Sequence, residues 1–203
     1  MSSRIDIVNQ SLTWLGANTI TSLEDEDDNA LIMKTNYPIS RDATVEAYDW
    51  SFAMLRWTPA KDPIAPEWGA SYRYRIPLDI LRVVYVERSG SGALHAVREN
   101  ARSIGRDRQA DYVVESGYIL SNDDGIMCKG LRRIEDEGVF SNLFCDALSA
   151  KLAMKCCYAI TESSTKFQAM ATMYQLFINE AKTRDGLQGS SKRLRNRSLQ
   201  DVR

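Results

Sequence analysis

His95 is the first residue to consider for chemistry, because no other side chain in the 203-residue chain offers an imidazole base for a serine or cysteine nucleophile. It follows a Gly/Ser turn at residues 89–92, and the sequence contains no Gly-x-Ser-x-Gly, Walker A or His-Glu-x-x-His motif. A histidine in an exposed loop is therefore favoured over a catalytic base. We predict that the protein has no catalytic residues and is not an enzyme.

The cysteines and the acidic clusters are the other candidates for chemistry. The four cysteines are Cys128, Cys145, Cys156 and Cys157, and none shows Cys-x-x-Cys spacing, so they indicate small buried side chains rather than a zinc site or a disulfide framework. The acidic run at residues 24–28 lacks EF-hand spacing. We expect it to cap the next helix, whose first N–H groups favour carboxylates. The sequence predicts no metal and no cofactor.

Charge is distributed unevenly along the chain. Residues 188–203 carry five basic side chains and one acidic side chain, which leaves 21 basic and 26 acidic residues, a net charge of -5, in residues 1–187. Such a segment is expected to be disordered alone and to order on a partner, and a plain solubilising tail is the alternative. The near-neutral total of -1 argues against a surface built throughout to bind nucleic acid.

The N-terminal part is predicted to be helical. Ser3 and Asp6 form a capping-box pattern ahead of apolar residues at helical spacing, and Gly16 is a natural stop. A second helical pattern covers residues 29–48, with a kink or break expected at Pro38. Arg41 lies on its apolar face and would need a carboxylate or carbonyl partner if buried.

The C-terminal part is also predicted to be helical. Residues 140–160 are apolar on most faces, as in the central helix of a bundle. A regular apolar stripe follows from Phe167 to Ala181, and Gly186 is expected to end that helix.

Strand patterns occupy the middle of the chain. Residues 72–76 alternate, residues 80–87 form a β-branched run expected to be well covered, and residues 126–134 form a last strand. Residues 112–115 and 118–120 flank Ser116-Gly117, which predicts a tight hairpin.

These elements predict an α+β protein with one domain and an insert. The helices from the two chain ends form a bundle over residues 1–56 and 139–187, residues 57–138 form an inserted small antiparallel β domain, and residues 188–203 form a flexible basic C-terminal arm. No apolar run reaches the length of a membrane span, and the N-terminus lacks a signal-peptide core. We expect no membrane association and no secretion.

Several motifs occur in a fixed order along residues 4–185. They are Ile7-Val8-Asn9-Gln10-Ser11-Leu12, Trp14-Leu15-Gly16-Ala17, Ile20-Thr21-Ser22-Leu23, Asp49-Trp50-Ser51-Phe52-Ala53 and Ile76-Pro77-Leu78-Asp79-Ile80-Leu81-Arg82-Val83. In this order they resemble phage tail tubular protein A, the head–tail adaptor of short-tailed bacteriophages. Ile76 stands where that family usually has leucine, and residues 88–111 and the basic tail lie outside the pattern.

The resemblance implies a non-enzymatic structural protein of the virion tail, made in the host bacterial cytoplasm. Adaptors of this family form a dodecameric ring below the portal protein, receive the tail nozzle protein and often offer a docking surface for tail fibres. DNA passes through the ring during ejection, and an acidic body avoids the phosphate contacts that dominate DNA affinity.

The resemblance also suggests roles for particular residues. The basic arm would order on the portal, through Lys192, Arg193, Leu194, Arg195, Arg197 and Arg203. The motif residues expected to anchor the core are Trp14, Gly16, Asp49, Trp50 and Phe52. We expect Trp50 and Phe52 to pack where the second helix meets the β insert, with Trp14 nearby.

Two other classes of function remain open from the residues alone. A nucleic-acid-binding module could use the basic tail, although the tail lacks the aromatic residues that stack on bases. A cell-wall hydrolase would need an acid/base pair, and none is visible.

Overall fold

The computed structural model describes residues 3–89 and 110–188. Within these ranges the chain forms four helices and two three-stranded antiparallel sheets, which confirms the predicted α+β class. The helices are α1 (Arg4–Leu15), α2 (Asp28–Glu46), α3 (Asn142–Thr161) and α4 (Ser164–Gln188). The strands are β1 (Met54–Trp57), β2 (Tyr72–Arg75), β3 (Ile80–Arg88), β4 (Tyr112–Glu115), β5 (Tyr118–Ser121) and β6 (Ile126–Arg132). None of these helices combines the length and apolarity needed to span a bilayer.

Local signals define both ends of α1, as predicted. The Ser3 side chain accepts a hydrogen bond from the backbone N–H of Asp6, and the Asp6 carboxylate accepts one from the backbone N–H of Ser3. Gly16 ends the helix in the left-handed conformation, with φ of 71°, which glycine adopts without steric cost.

Helix α2 continues through Pro38, so a break there is excluded. Buried residues on both sides of the proline, Met33 before it and Val45 after it, hold the two halves in place. The acidic run places Asp27 at the N-cap and Asp28 in the first turn, but the expected side-chain cap is absent, because Asp27 makes no capping hydrogen bond. Asp25 instead accepts hydrogen bonds from the Ser22 backbone N–H and from the hydroxyl and backbone N–H of Thr21, which lower the pKa of its carboxyl group.

Helix α3 is buried on most of its faces, as its composition predicted, and contacts α1, α2 and α4. Helix α4 extends to Gln188, so the predicted stop at Gly186 is wrong. A glycine inside a helix costs only about 1 kcal/mol relative to alanine. Asp185 ties this last turn to the body by accepting hydrogen bonds from the Ser51 backbone N–H (3.0 Å) and hydroxyl (2.6 Å).

The strands occur in the order β1-β6-β3 in one sheet and β2-β5-β4 in the other. The predicted hairpin is confirmed, with Ser116 and Gly117 both at positive φ between β4 and β5. Strand β3 is not well covered, because it lies at a sheet edge and only Ile80 and Val86 are buried in it. Strand β1 had no pattern that predicted it, and it crosses the predicted boundary at residue 56.

Two cores hold these elements together. The larger one joins all four helices to the inner face of the β1-β6-β3 sheet through Leu131 of β6 and neighbouring residues. The smaller core lies between the two sheets and contains Tyr74, Val86, Ala110, Ile119, Ile126 and Cys128. At Gly130 in β6 an added Cβ would lie 2.5 Å from the Arg82 carbonyl oxygen and 3.0 Å from the Trp57 ring, so glycine is required there.

Candidate functional site

The predicted arm residues lie outside the residues that the structure describes. They are Lys192, Arg193, Leu194, Arg195, Arg197 and Arg203, and His95 also falls outside the described ranges. The arm and its portal contact therefore stay predictions. The candidate core anchors all lie within the described part of the chain, but Gly16 and Asp49 are exposed, so that part of the prediction is wrong. Trp14, Trp50 and Phe52 do pack in the larger core.

Trp50 lies at the centre of an aromatic cluster between α2 and α3. It is 1 % exposed, and its indole N–H donates a 2.9 Å hydrogen bond to the carbonyl oxygen of Thr44 in α2. Its ring meets Phe144 of α3 edge-on at 5.1 Å and stacks on Phe52 at 5.9 Å between ring centroids. Phe52 continues the cluster to Phe140 at 5.5 Å. Trp14 makes its ring contact outside this cluster, with Phe177 of α4.

The motif residues pair with one another across the chain. The Asn9 side chain donates to the Ile20 carbonyl oxygen and accepts from the Ile20 N–H, both at 2.9 Å, so it fixes the connector that follows α1. The Arg82 guanidinium pairs with the Asp49 carboxylate, which joins β3 to the segment after α2. The first pair joins motifs 11 residues apart, and the second joins motifs 33 residues apart.

Polar motif residues also fasten α1 to α3. Gln10 donates to the Asp146 carboxylate at 2.7 Å, and the buried Ser11 hydroxyl donates to the Ser149 carbonyl oxygen at 2.9 Å. Ser149 in turn donates to the Ile7 carbonyl oxygen at 3.1 Å. Buried hydroxyl groups with satisfied partners specify one packing arrangement of the two helices. The geometry therefore gives these motif residues structural roles.

A cleft of about 530 Å³ opens where the helical part meets the β1-β6-β3 sheet. It is lined by Phe52, Leu78, Asp79, Arg132, Arg133, Ile134, Glu135, Asp136 and Val139. Leu78 is 87 % exposed and Val139 is 47 % exposed, so both present apolar surface to solvent at the cleft. We call this feature the junction cleft.

The charges around the junction cleft are only partly paired. Arg133 lies 2.8 Å from the Asp42 carboxylate, which also accepts from the buried Arg41 at 2.9 Å. Arg41 thus has the carboxylate partner that its burial requires. Among the described residues, no ion-pair partner faces Asp79 or Glu135. The cleft therefore combines apolar surface with the unpaired carboxylates of Asp79 and Glu135 and with the exposed Arg132.

Arg4, Tyr37 and Glu137 form a polar triad at the end of the Glu135-Asp136-Glu137 segment. Glu137 accepts from Arg4 at 2.8 Å and from the Tyr37 hydroxyl at 3.1 Å. Burial, followed by the neighbouring Glu137 charge, raises the pKa of Tyr37 well above its ordinary value. The hydrogen bond to Glu137 raises the pKa of Arg4. The triad holds the start of α1 against the turn before α3.

The four cysteines are buried and free, as their spacing predicted. Burial raises the pKa of the Cys128 thiol to about 12 and that of Cys156 to about 11, so both are poor nucleophiles at neutral pH. The described residues contain no group of three or more histidine, cysteine or acidic side chains positioned to hold a metal ion.

The buried thiols predict a loss of stability at alkaline pH. Both pKa values lie above the ordinary value of 9.0, so above that pH the unfolded chain releases protons that the folded chain retains. The free energy of unfolding should be unaffected by these thiols below pH 9 and should fall by up to about 1.4 kcal/mol per pH unit per thiol above it. Urea unfolding between about pH 8 and pH 10 measures the slope. The double variant Cys128→Ala/Cys156→Ala should show a shallower fall, and equal slopes would contradict the prediction.

The outer face of α4 is uncharged over much of its length. Residues 167–179 contain no charged side chain, and Phe167 and Leu176 are 45 % and 64 % exposed. Exposed uncharged residues recur at spacings of four and three at Thr165, Ala169, Thr172, Leu176 and Asn179. This spacing is the one that helices use to pack along each other.

The chain matches no family model, and no curated protein matches it. The structural class, an α+β protein of helices around α3 with two small sheets, and the contacts above are therefore the basis for assigning a function.

Sequence reasoning missed the junction cleft, because its lining comes from three segments, residue 52, residues 78–79 and residues 132–139, that converge in the folded chain. The signal that the sequence offered was Leu78, an apolar residue between a proline and a carboxylate.

Proposed function

We propose that the protein is a structural head–tail adaptor of a short-tailed phage. In this proposal it forms a dodecameric ring that joins the portal protein to the tail nozzle protein, with DNA passing through during ejection. The supporting observation is that the motifs that resemble phage tail tubular protein A contact each other in the fold, at Asn9 with Ile20 and at Asp49 with Arg82.

In the proposed ring, the bundle of N- and C-terminal helices is the body that contacts its neighbours. The uncharged outer face of α4 supports this role, because a helix face without charges can be buried against another copy at little desolvation cost. The β insert would extend from the body, where it could receive the nozzle or tail fibres.

The proposed passage of DNA fits the charge distribution. The net charge of -5 over residues 1–187 disfavours lasting phosphate contacts, so double-stranded DNA could slide without sequence-specific binding. The five basic residues of the tail are concentrated in one segment, which suits an arm that becomes ordered on the portal. The protein would act in the virion tail after synthesis in the host bacterial cytoplasm.

Deletion of residues 188–203 tests the arm directly. The truncated protein should keep its folded body, since the described core lies before residue 188, but should no longer bind purified cognate portal. Mass photometry of portal with the full chain should show added mass corresponding to a ring, while the full chain alone remains monomeric. Replacing the five basic residues with glutamine should reproduce the loss, and lysine-for-arginine exchange should preserve most binding.

Two outcomes would contradict parts of the proposal separately. Unchanged portal binding by the truncated protein would remove the arm from the contact. Failure of the full chain to bind portal would contradict the adaptor function.

A further inference from the structure

The end of α4 lies beside the junction cleft. Asp185, in the last turn of α4, is hydrogen-bonded to the backbone and side chain of Ser51, and Ser51 precedes Phe52 in the cleft lining. Gln188 follows Asp185 by three residues, a rise of about 4.5 Å along the helix. The chain beyond Gln188 therefore leaves the fold close to this cleft.

The length of the following segment is sufficient to reach it. Residue 194 is six positions beyond Gln188, which allows a span of up to about 20 Å for an extended chain. A segment tethered this close has an effective concentration in the millimolar range, so weak contacts are enough to hold it.

The chemistry of the segment complements that of the cleft. Arg193-Leu194-Arg195 places one apolar side chain between two cations. The cleft offers the exposed apolar surface of Leu78 and Val139 beside three carboxylates, those of Asp79, Glu135 and Asp136. These outnumber the two arginines of the lining, Arg132 and Arg133, and Arg133 already pairs with Asp42.

We infer that the junction cleft binds residues 192–195 of the same chain before assembly. Leu194 covers the apolar surface, and the flanking arginines pair with the carboxylates. The docked segment is withheld from other surfaces until a partner competes for it, so the cleft regulates when the basic arm becomes available. This inference goes beyond the adaptor proposal and does not depend on it, because both components belong to one chain.

Zero-length carbodiimide coupling of the full chain tests the contact. Lys192 is the only lysine in residues 189–203, so an amide between Lys192 and Asp79, Glu135 or Asp136 reports docking by mass spectrometry. The ion pair of Lys34 with Glu24 provides an internal standard for coupling yield. Mixing isotope-labelled and unlabelled chains distinguishes coupling within one copy from coupling between copies.

Matched variants test the apolar part of the contact. Leu194→Asp and Leu78→Asp should each lower the coupling yield about ten-fold, because both remove the same buried leucine contact. Two control variants should leave the yield unchanged. One is Leu199→Asp, because Leu199 has no arginine beside it. The other is Leu176→Asp, because Leu176 lies on the outer face of α4. Leu78 is 87 % exposed and Leu194 lies outside the described core, so neither change should impair folding.

Three results would overturn the inference. Coupling found only between copies would show that the cleft binds residues 192–195 of a neighbouring chain. Coupling spread evenly over the carboxylates of the body would show a solvated tail, and a yield unaffected by Leu78→Asp would exclude the cleft. Portal binding is not part of this assay, so a failure here is distinguishable from a failure of the adaptor proposal.

Discussion

Replacement of Trp50 with alanine is expected to lower the free energy of unfolding by about 3–5 kcal/mol. Trp50 is 1 % exposed and contacts the rings of Phe52 and Phe144. The change leaves a cavity between α2 and α3 and removes the hydrogen bond from the indole to the Thr44 carbonyl oxygen. Urea denaturation followed by circular dichroism measures the difference.

Trp68→Ala is the matched control for this experiment. Trp68 is 85 % exposed, so its removal should change the free energy of unfolding by no more than about 0.5 kcal/mol. A loss below about 1 kcal/mol for Trp50→Ala would show that the surrounding core does not depend on this ring.

Replacement of Asp42 with alanine should cost about 3–5 kcal/mol, the range for removing one partner of a buried ion pair. Arg41 is only 5 % exposed, and its guanidinium donates to Asp42 at 2.9 Å. The same carboxylate accepts from Arg133 at 2.8 Å, so Asp42→Ala leaves both arginines without their carboxylate partner. The penalty arises mainly from the Arg41 charge, because the Arg41 side chain is only 6 % exposed.

Asp49→Ala provides the comparison for an exposed pair. Asp49 and Arg82 have side chains 47 % and 45 % exposed, and exposed pairs contribute about 0–1 kcal/mol. Denaturation of the two variants under identical conditions gives the difference between them. Equal losses would contradict the conclusion that burial of Arg41 sets the cost.

Local elements were predictable because their causes lie within a few residues. The Ser3–Asp6 capping box, the left-handed Gly16 and the Ser116-Gly117 turn each depend on short-range backbone chemistry. The burial of α3 followed from its composition, since a helix that is apolar on most faces must be covered by others.

Tertiary structure decided the features that depend on distant partners. Helix α2 continues through Pro38, and α4 continues through Gly186, because contacts elsewhere outweigh local penalties of about 3 kcal/mol for proline and about 1 kcal/mol for glycine. Strand β1 exists through its pairing with β6, and four residues carry too little periodicity to predict it.

The basic tail and the junction cleft differ in the same way: the sequence predicted the first, and tertiary structure decided the second. Composition alone identified the basic tail and its opposite charge to the body, because charge is summed along the chain without reference to shape. The junction cleft, by contrast, required Phe52, Leu78 and the stretch 132–139 to converge from separate segments. Its position beside the end of α4 depends on the hydrogen bonds between Asp185 and Ser51, 134 residues apart. Contacts of that range leave no periodic pattern in a single sequence, so only the folded chain reveals them.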